Sequence, residues 1–278
     1  MTARTWQRPR LASHLVLGFS TVVMIYPVMW VVMSSLKTPR DLYGDPWGLP
    51  RTPRLANYSE AWKIGRIGES YLNSILVAVA SLALILVVSY LAAYALARLR
   101  FRGRNLVMVL FVSTMLLPVQ ATIIPIYKIE QSLNLIDTLP GLVLPYVAKA
   151  LPFTVFVLTA FIKTIPTEFD EAARLDGAGR LRILWSVLVP LTRPALASVV
   201  ILDFMTIWND FYLPLVLIHD PARRTLNLGL VNFQQLWGRT DFTRLFAALV
   251  LINVPLIVVY VVFQRQFING MTSGGLKA

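Results

Sequence analysis

Apolar residues in this chain arrive in blocks of about 20, the length that carries a helix across ~30 Å of hydrocarbon. The blocks run almost end to end, over Leu15–Leu36, Leu72–Ala97, Leu106–Tyr127, Gly141–Ile162, Val187–Ile218 and Leu245–Phe267. Backbone polar groups in lipid must be bonded within their own segment, so helices are the default, and strand-like alternation is absent. Charged residues make up 14% of the chain, whereas a soluble domain carries roughly 25%. The first block follows Arg4, Arg8 and Arg10 as a signal peptide would. It is longer than the roughly 7–15 apolar residues of such a core and no clean small-residue cleavage site follows it, so it reads as a retained span. The expectation is an all-α membrane protein of six transmembrane helices. It divides into a cytoplasmic N-terminus (1–14), a first span (15–36), an extracytoplasmic loop (37–70), a five-helix core (71–267) and a cytoplasmic tail (268–278).

The formal charge of +12 raises nucleic-acid binding as an explanation. The basic residues are scattered among apolar spans without interleaved aromatics, unlike a base-stacking platform. They suit a lipid bilayer with anionic headgroups instead. With no cysteine, and with His14 and His219 far apart, neither a catalytic nor a metal constellation is expected. The dense basic turn Arg98-Leu99-Arg100-Phe101-Arg102-Gly103-Arg104 decides orientation, placing the N-terminus, this turn and the C-terminus in the cytoplasm. Segment 37–70 works against that rule, because it carries Lys37, Arg40, Arg51, Arg54, Lys63 and Arg66 yet must lie outside. With Trp47, Tyr58 and Trp62 it reads as an interfacial helix or a meeting place for an external protein. Prolines recur in and beside the spans, among them Pro118, Pro152, Pro190 and Pro255, and each bends a helix by removing a donor.

Residues 163–186 interrupt the spans with polar sequence. Thr167 with Asp170 three residues on has the capping-box pattern. Glu168, Asp170 and Glu171 put negative charge in a first turn, and Gly177 and Gly179 permit a sharp exit. Phe169, Ala172, Ala173 and Asp176 fall at helical spacing on one face. That face either docks a partner protein or lies on lipid headgroups.

Ionisable residues inside a span default to functional candidates. Asp203 and Asp210, seven apart in the fifth block, share a stripe with Thr206, and Trp208 and Asn209 sit beside it. Carboxylates, amides and aromatic faces are the groups that hold sugars. The alternative is that Asn209 and Asp210 make helix-to-helix hydrogen bonds. Lys149 lacks an obvious partner, although Asp203 is a conceivable one, and Asn253 beside Pro255 is expected to satisfy freed backbone.

The run Glu171-Ala172-Ala173, then Gly177, then Val187-Leu188-Val189-Pro190 resembles the EAA loop of bacterial ABC importer permeases. Val187 and Val189 stand where that pattern has isoleucine and leucine. Asp176-Gly177-Ala178 matches the carbohydrate branch, similar to the maltose-type second permease. The resemblance extends over Ser35-Leu36-Lys37, Asn57-Tyr58, Asn73-Ser74, Tyr94-Ala95-Leu96-Ala97-Arg98, Trp208-Asn209-Asp210-Phe211 and Phe267-Ile268-Asn269-Gly270-Met271.

The resemblance implies a type I importer permease in the bacterial inner membrane, carrying a mono-, di- or oligosaccharide. Segment 163–186 is then a cytoplasmic coupling helix between spans four and five. Glu171, Ala172, Ala173, Asp176 and Gly177 would seat it in an ATPase subunit. The implied partners are a second homologous permease, two ATPase subunits and an extracytoplasmic sugar-binding protein. This chain has no Gly-x-x-x-x-Gly-Lys-Ser/Thr loop, so ATP and Mg belong to the partner chains and no cofactor is expected here. Glycerol phosphate or another small polar solute is the alternative cargo, with Lys149 or Arg193 as anion contacts. A more distant alternative is a proton-coupled carrier using Asp203 and Asp210 as a relay.

Overall fold

The computed structural model describes residues 11–233 and 240–275. Arg4, Arg8 and Arg10, and the tail residues Leu276–Ala278, lie outside the described residues. Among the described residues every regular element is helical. They fall into two compact units, one of Met1–Ile67 with Leu230–Asn253, the other of Gly68–Gly229 with Val254–Ala278.

In the first unit, α1 (Leu11–Ser35) exposes apolar side chains on all sides until its last turn, as a helix in lipid should. The chain then folds back through α2 (Pro39–Gly44) and α3 (Ala56–Ile64), so segment 37–70 holds two short helices. Asn57, fully buried, clamps this return by donating through Nδ2 to the Ser35 carbonyl at 2.8 Å and the Lys37 carbonyl at 2.9 Å. The Tyr58 hydroxyl pairs with Ser35 Oγ at 2.7 Å. Lys37 is only 1% exposed, and its Nζ donates to the carbonyls of Asp45 and Pro46, both at 2.9 Å. Arg54 pairs with Glu60 at 2.8 Å, and Arg244 bonds the other oxygen of Glu60 at 2.5 Å. The Arg244 hydrogen bond holds the Glu60 carboxyl below its ordinary range. Two of the six basic residues that blurred the orientation rule therefore have structural employment. Asn57→Ala strands two buried carbonyls and is expected to cost about 2–3 kcal/mol. Limited proteolysis should find segment 37–70 cut several-fold faster in that variant, whereas an unchanged rate would mean the clamp is dispensable.

The second unit holds α4 (Ile67–Arg98), α5 (Arg104–Thr114), α6 (Val119–Ser132) and α7 (Pro140–Thr164). After them come α8 (Glu168–Leu175), α9 (Arg180–Ile183), a π turn (Leu184–Leu188), α10 (Val189–Leu191), α11 (Arg193–Trp208), α12 (Tyr212–Leu217) and α13 (Leu226–Gly229). The last helix, α14 (Phe242–Gly275), runs through most of the predicted tail. The core of this unit joins Tyr90 and Tyr94 of α4 to Leu158 and Ile162 of α7 and to Leu188 and Val199. Tyr90 reaches Thr192 Oγ1 at 2.7 Å within it. At the start of α4, Asn73 donates to the Ala222 and Arg224 carbonyls, and Ser74 Oγ accepts from the Leu226 amide at 2.9 Å. Asp137, before α7, accepts from the backbone amides of His219 and Asp220, which hold its carboxyl below the ordinary range.

Two predicted spans are not continuous helices. The third, Leu106–Tyr127, breaks between α5 and α6. Pro118 has no amide and pushes the residue before it out of the helical region, and Met115, Leu116 and Leu117 donate three residues back instead of four. The fifth starts earlier, at Arg180, and bends by 79° between α10 and α11. Pro190 and Pro194 each remove a donor there, and the Thr192 hydroxyl caps the Leu188 carbonyl at 2.8 Å. Among the described residues four helices, α1, α4, α7 and α14, are each long and apolar enough to cross a membrane, and a fifth crossing exists if the bent pair is one span.

Candidate functional site

The polar segment between α7 and the bend is a helix with one buried edge and an exposed face. The Thr167 carbonyl accepts from the amides of Asp170 at 2.9 Å and Glu171 at 3.0 Å, while its side chain caps nothing. The predicted capping box is therefore not formed. Asp170 is drawn inward, 3% exposed, to an ion pair with Arg98 Nε at 2.9 Å. A buried guanidinium outcompetes the neutral Thr167 backbone amide for the Asp170 carboxylate. The exit follows the expected glycine chemistry. Gly177 adopts φ +79, its amide bonds the Arg174 carbonyl at 2.9 Å, and the Ala178 amide bonds the Ala173 carbonyl at 2.9 Å. These two bonds make a Schellman cap. Gly179 has φ −71 and needs no glycine conformation.

Glu171, Ala172 and Asp176 are exposed along α8, with Phe169 48% and Leu175 90% exposed. Ala173 leaves the predicted face. It is half-buried and packs with Ala178 on the tyrosine-leucine core, because Asp170, one turn earlier, fixes that edge inward. The exposed face carries two large apolar side chains, a flat alanine and carboxylates.

Between α7 and α11 lies a cavity of about 290 Å³, lined by Tyr146, Lys149, Phe153, Asp203, Thr206 and Ile207. A second cavity of about 530 Å³ shares Lys149 and Phe153 and is walled by Pro145, Pro152 and Met115. Asp203 is 6% exposed and accepts from the Thr154 hydroxyl at 2.9 Å. Thr154 thus takes the place for which Lys149 is the conceivable partner in the sequence. Lys149 is exposed at the cavity wall, and among the described residues no ion pair engages it.

The other predicted pathway residues lie elsewhere. Trp208 is buried, with its ring 5.2 Å from Phe204 and 6.3 Å from Tyr71. Asn209 donates to the Met205 carbonyl of its own helix at 2.9 Å. Asp210 lies beyond the end of α11, where Oδ1 accepts from the Tyr212 amide at 3.0 Å, so the stripe through Asp203 and Asp210 does not exist. The residue beside Asp210 from α7 is Tyr146. Asn253 bonds the Leu249 carbonyl at 2.7 Å, within its own helix. Tyr146 and Thr154 were missed as candidates, although Tyr146, Lys149 and Phe153 are spaced along one helical face.

A family model described as "Binding-protein-dependent transport system inner membrane component" matches residues 85–273. The chain is 39% identical to the diacetylchitobiose uptake system permease protein NgcG of Streptomyces coelicolor, over 95% of this chain and 88% of that one. It is 37% identical to the sulfoquinovosyl glycerol transport system permease protein SmoH of Agrobacterium fabrum, over 91% of this chain and 89% of that one. Among solved structures, a crystal structure of a bacterial ABC transporter involved in the import of the acidic polysaccharide alginate contains a similar chain. That chain aligns with a TM-score of 0.82 at 25% identity, over 96% of this chain and 99% of its own length.

Proposed function

This chain belongs to the family of binding-protein-dependent transport system inner membrane components, and from that premise we propose that it is one permease subunit of an ATP-driven importer of sugars. The observation that carries the reading is α8, an exposed helix with Glu171 and Ala172 outward, closed by a left-handed Gly177. Its face is the contact for a cytoplasmic ATPase subunit, which binds ATP and Mg. Two such ATPases, a second homologous permease and an extracytoplasmic sugar-binding protein complete the machine. Six crossings are reached if α5 with α6 and the bent α9–α11 each count as one, with both termini cytoplasmic. ATP binding closes the ATPases and moves α8, and the bends at Pro118 and Thr192 let the helices around the cavity open to alternate sides.

The cargo class follows from the relatives and from the cavity chemistry. NgcG and SmoH are named for diacetylchitobiose and for sulfoquinovosyl glycerol. The cavity offers Phe153 for sugar C–H faces and Lys149, Thr206 and Asp203 for hydroxyls. Lys149, which no ion pair engages among the described residues, also favours a second reading, an anionic cargo such as a sugar acid or glycerol phosphate.

Affinity purification from the native membrane in mild detergent is the test. A second permease and an ATPase should come with this chain, and uptake in proteoliposomes should require ATP. Emergence of the chain alone, driving uptake without ATP, would leave a proton-coupled carrier as the reading.

Asp203→Asn separates the two mechanisms. The amide oxygen still accepts from Thr154, so ATP-driven uptake should stay within about fivefold, since a neutral hydrogen bond differs from a charged one by only about 1 kcal/mol. A proton relay would lose essentially all activity in that variant. Asp210→Ala removes the acceptor for the Tyr212 amide and should lower uptake several-fold with normal complex assembly. Unchanged uptake would give Asp210 a purely local role.

A further inference from the structure

One guanidinium ties three elements of the second unit together. Arg98 is the last residue of α4, and its side chain is 6% exposed. Its Nε meets Asp170 Oδ2 of α8 at 2.9 Å, and its Nη2 donates to the carbonyl of Ile165, the residue that ends α7, at 2.8 Å. Asp170 is the buried residue of α8, and Ile165 is 9% exposed. The rest of α8 faces outward. Glu168, Phe169, Glu171, Ala172, Arg174 and Leu175 are all exposed, so Asp170 and the half-buried Ala173 are its inward grip.

We propose that Arg98 and Asp170 form the joint through which movement of α8 is passed to α4 and α7. The inference rests on the reading of α8 as the ATPase contact. Coupling between distant sites needs a contiguous chain of packed or bonded groups. An exposed eight-residue helix on a two-sided linker would otherwise swing without moving the spans. From one rigid plane the guanidinium reaches the Asp170 carboxylate as an ion pair and the Ile165 carbonyl by a hydrogen bond from Nη2, and a lysine ammonium has no such plane. The pair thus sets the angle of α8 against both spans. Arg98 and Asp170 are positioning residues that touch neither cargo nor nucleotide.

The chain contains no cysteine, which permits a direct test. Ala150 lines the α7–α11 cavity, and Ala150→Cys places a small reporter there. In the purified complex with its binding protein, reconstituted in nanodiscs, labelling of that thiol by a bulky polar maleimide is followed with and without ATP plus vanadate. The parent should show an ATP-dependent change in labelling rate of at least about tenfold. Arg98→Lys keeps the charge beside Asp170 but loses the Nη2 bond to the Ile165 carbonyl, and its change should fall to about threefold or less. Arg98→Met with Asp170→Leu replaces the pair by apolar groups that tolerate burial, and its change should be near onefold with the ATPase still bound. The parent's full response in either variant overturns the joint, because the link would then be mere packing. Loss of the ATPase from both variants while the chain remains in the membrane also overturns it, because the pair would then only hold α8 in shape and not pass on its movement. A parent with no response to ATP contradicts the proposed function itself, and the inference falls with it.

Discussion

Gly177→Val is expected to reduce ATPase subunit recovered with the purified chain by about tenfold, with membrane insertion intact. Gly177 sits at φ +79, and a Cβ built there meets nothing within 4 Å. The penalty is therefore conformational and not a clash. A left-handed backbone costs an L-residue roughly 1–2 kcal/mol, more for a β-branched one, and about 1.4 kcal/mol is tenfold in an equilibrium. The strain would be relieved by opening the Schellman bonds from Gly177 to Arg174 and from Ala178 to Ala173. That opening frays the end of α8 that presents Asp176 and Leu175. Gly177→Asn is the control, because asparagine visits the left-handed region most readily and should retain most of the ATPase. Quantitative mass spectrometry of the affinity eluate gives the ratio. Equal recovery for valine and asparagine variants would show that the turn does not matter to the contact.

Arg98→Ala is expected to be the most destabilising substitution outside the spans' apolar surfaces. It leaves the Asp170 carboxylate, 3% exposed, without its cation and the Ile165 carbonyl without its donor. Breaking one side of a buried ion pair costs about 3–5 kcal/mol. For a chain of this size that is a fall on the order of 10 °C in thermal midpoint, measurable by fluorescence-detected size-exclusion chromatography after heating. Arg98→Met with Asp170→Leu should recover most of the loss, since an apolar pair removes both charges together. A midpoint that hardly moves in Arg98→Ala would mean that water reaches Asp170. Stability and coupling thus separate. The apolar pair is predicted to restore the midpoint and not the ATP response.

The loop at 37–70 illustrates how charge counting misleads. Lys37 enters the orientation rule as a free cation, yet it is buried against two carbonyls, and Arg54 is bound by Glu60. The residues Ser35, Lys37, Asn57 and Tyr58, which the family resemblance also picks out in the sequence, prove to be one hydrogen-bonded knot. Asn73 and Ser74 likewise tie the start of α4 to the stretch before α13.

What the sequence determined by itself was whatever depends on neighbours along the chain. The run length of apolar residues fixed α1, α4, α7 and α14 as helices of membrane-crossing size, and a glycine two residues past Leu175 marked the end of α8. The EAA pattern was enough to reach the family. Tertiary structure decided whatever depends on partners far apart in sequence. Asp170 has the spacing of a helix cap, but Arg98 claims it. Asp203 looks free to meet Lys149, but Thr154, 49 residues away, holds it. Asp210 keeps helical register with Asp203 only if α11 continues, and it stops at Trp208. Local periodicity reports which face a residue occupies. Which of several polar groups a buried carboxylate meets is set by distance and desolvation in the folded chain, and no spacing rule contains that.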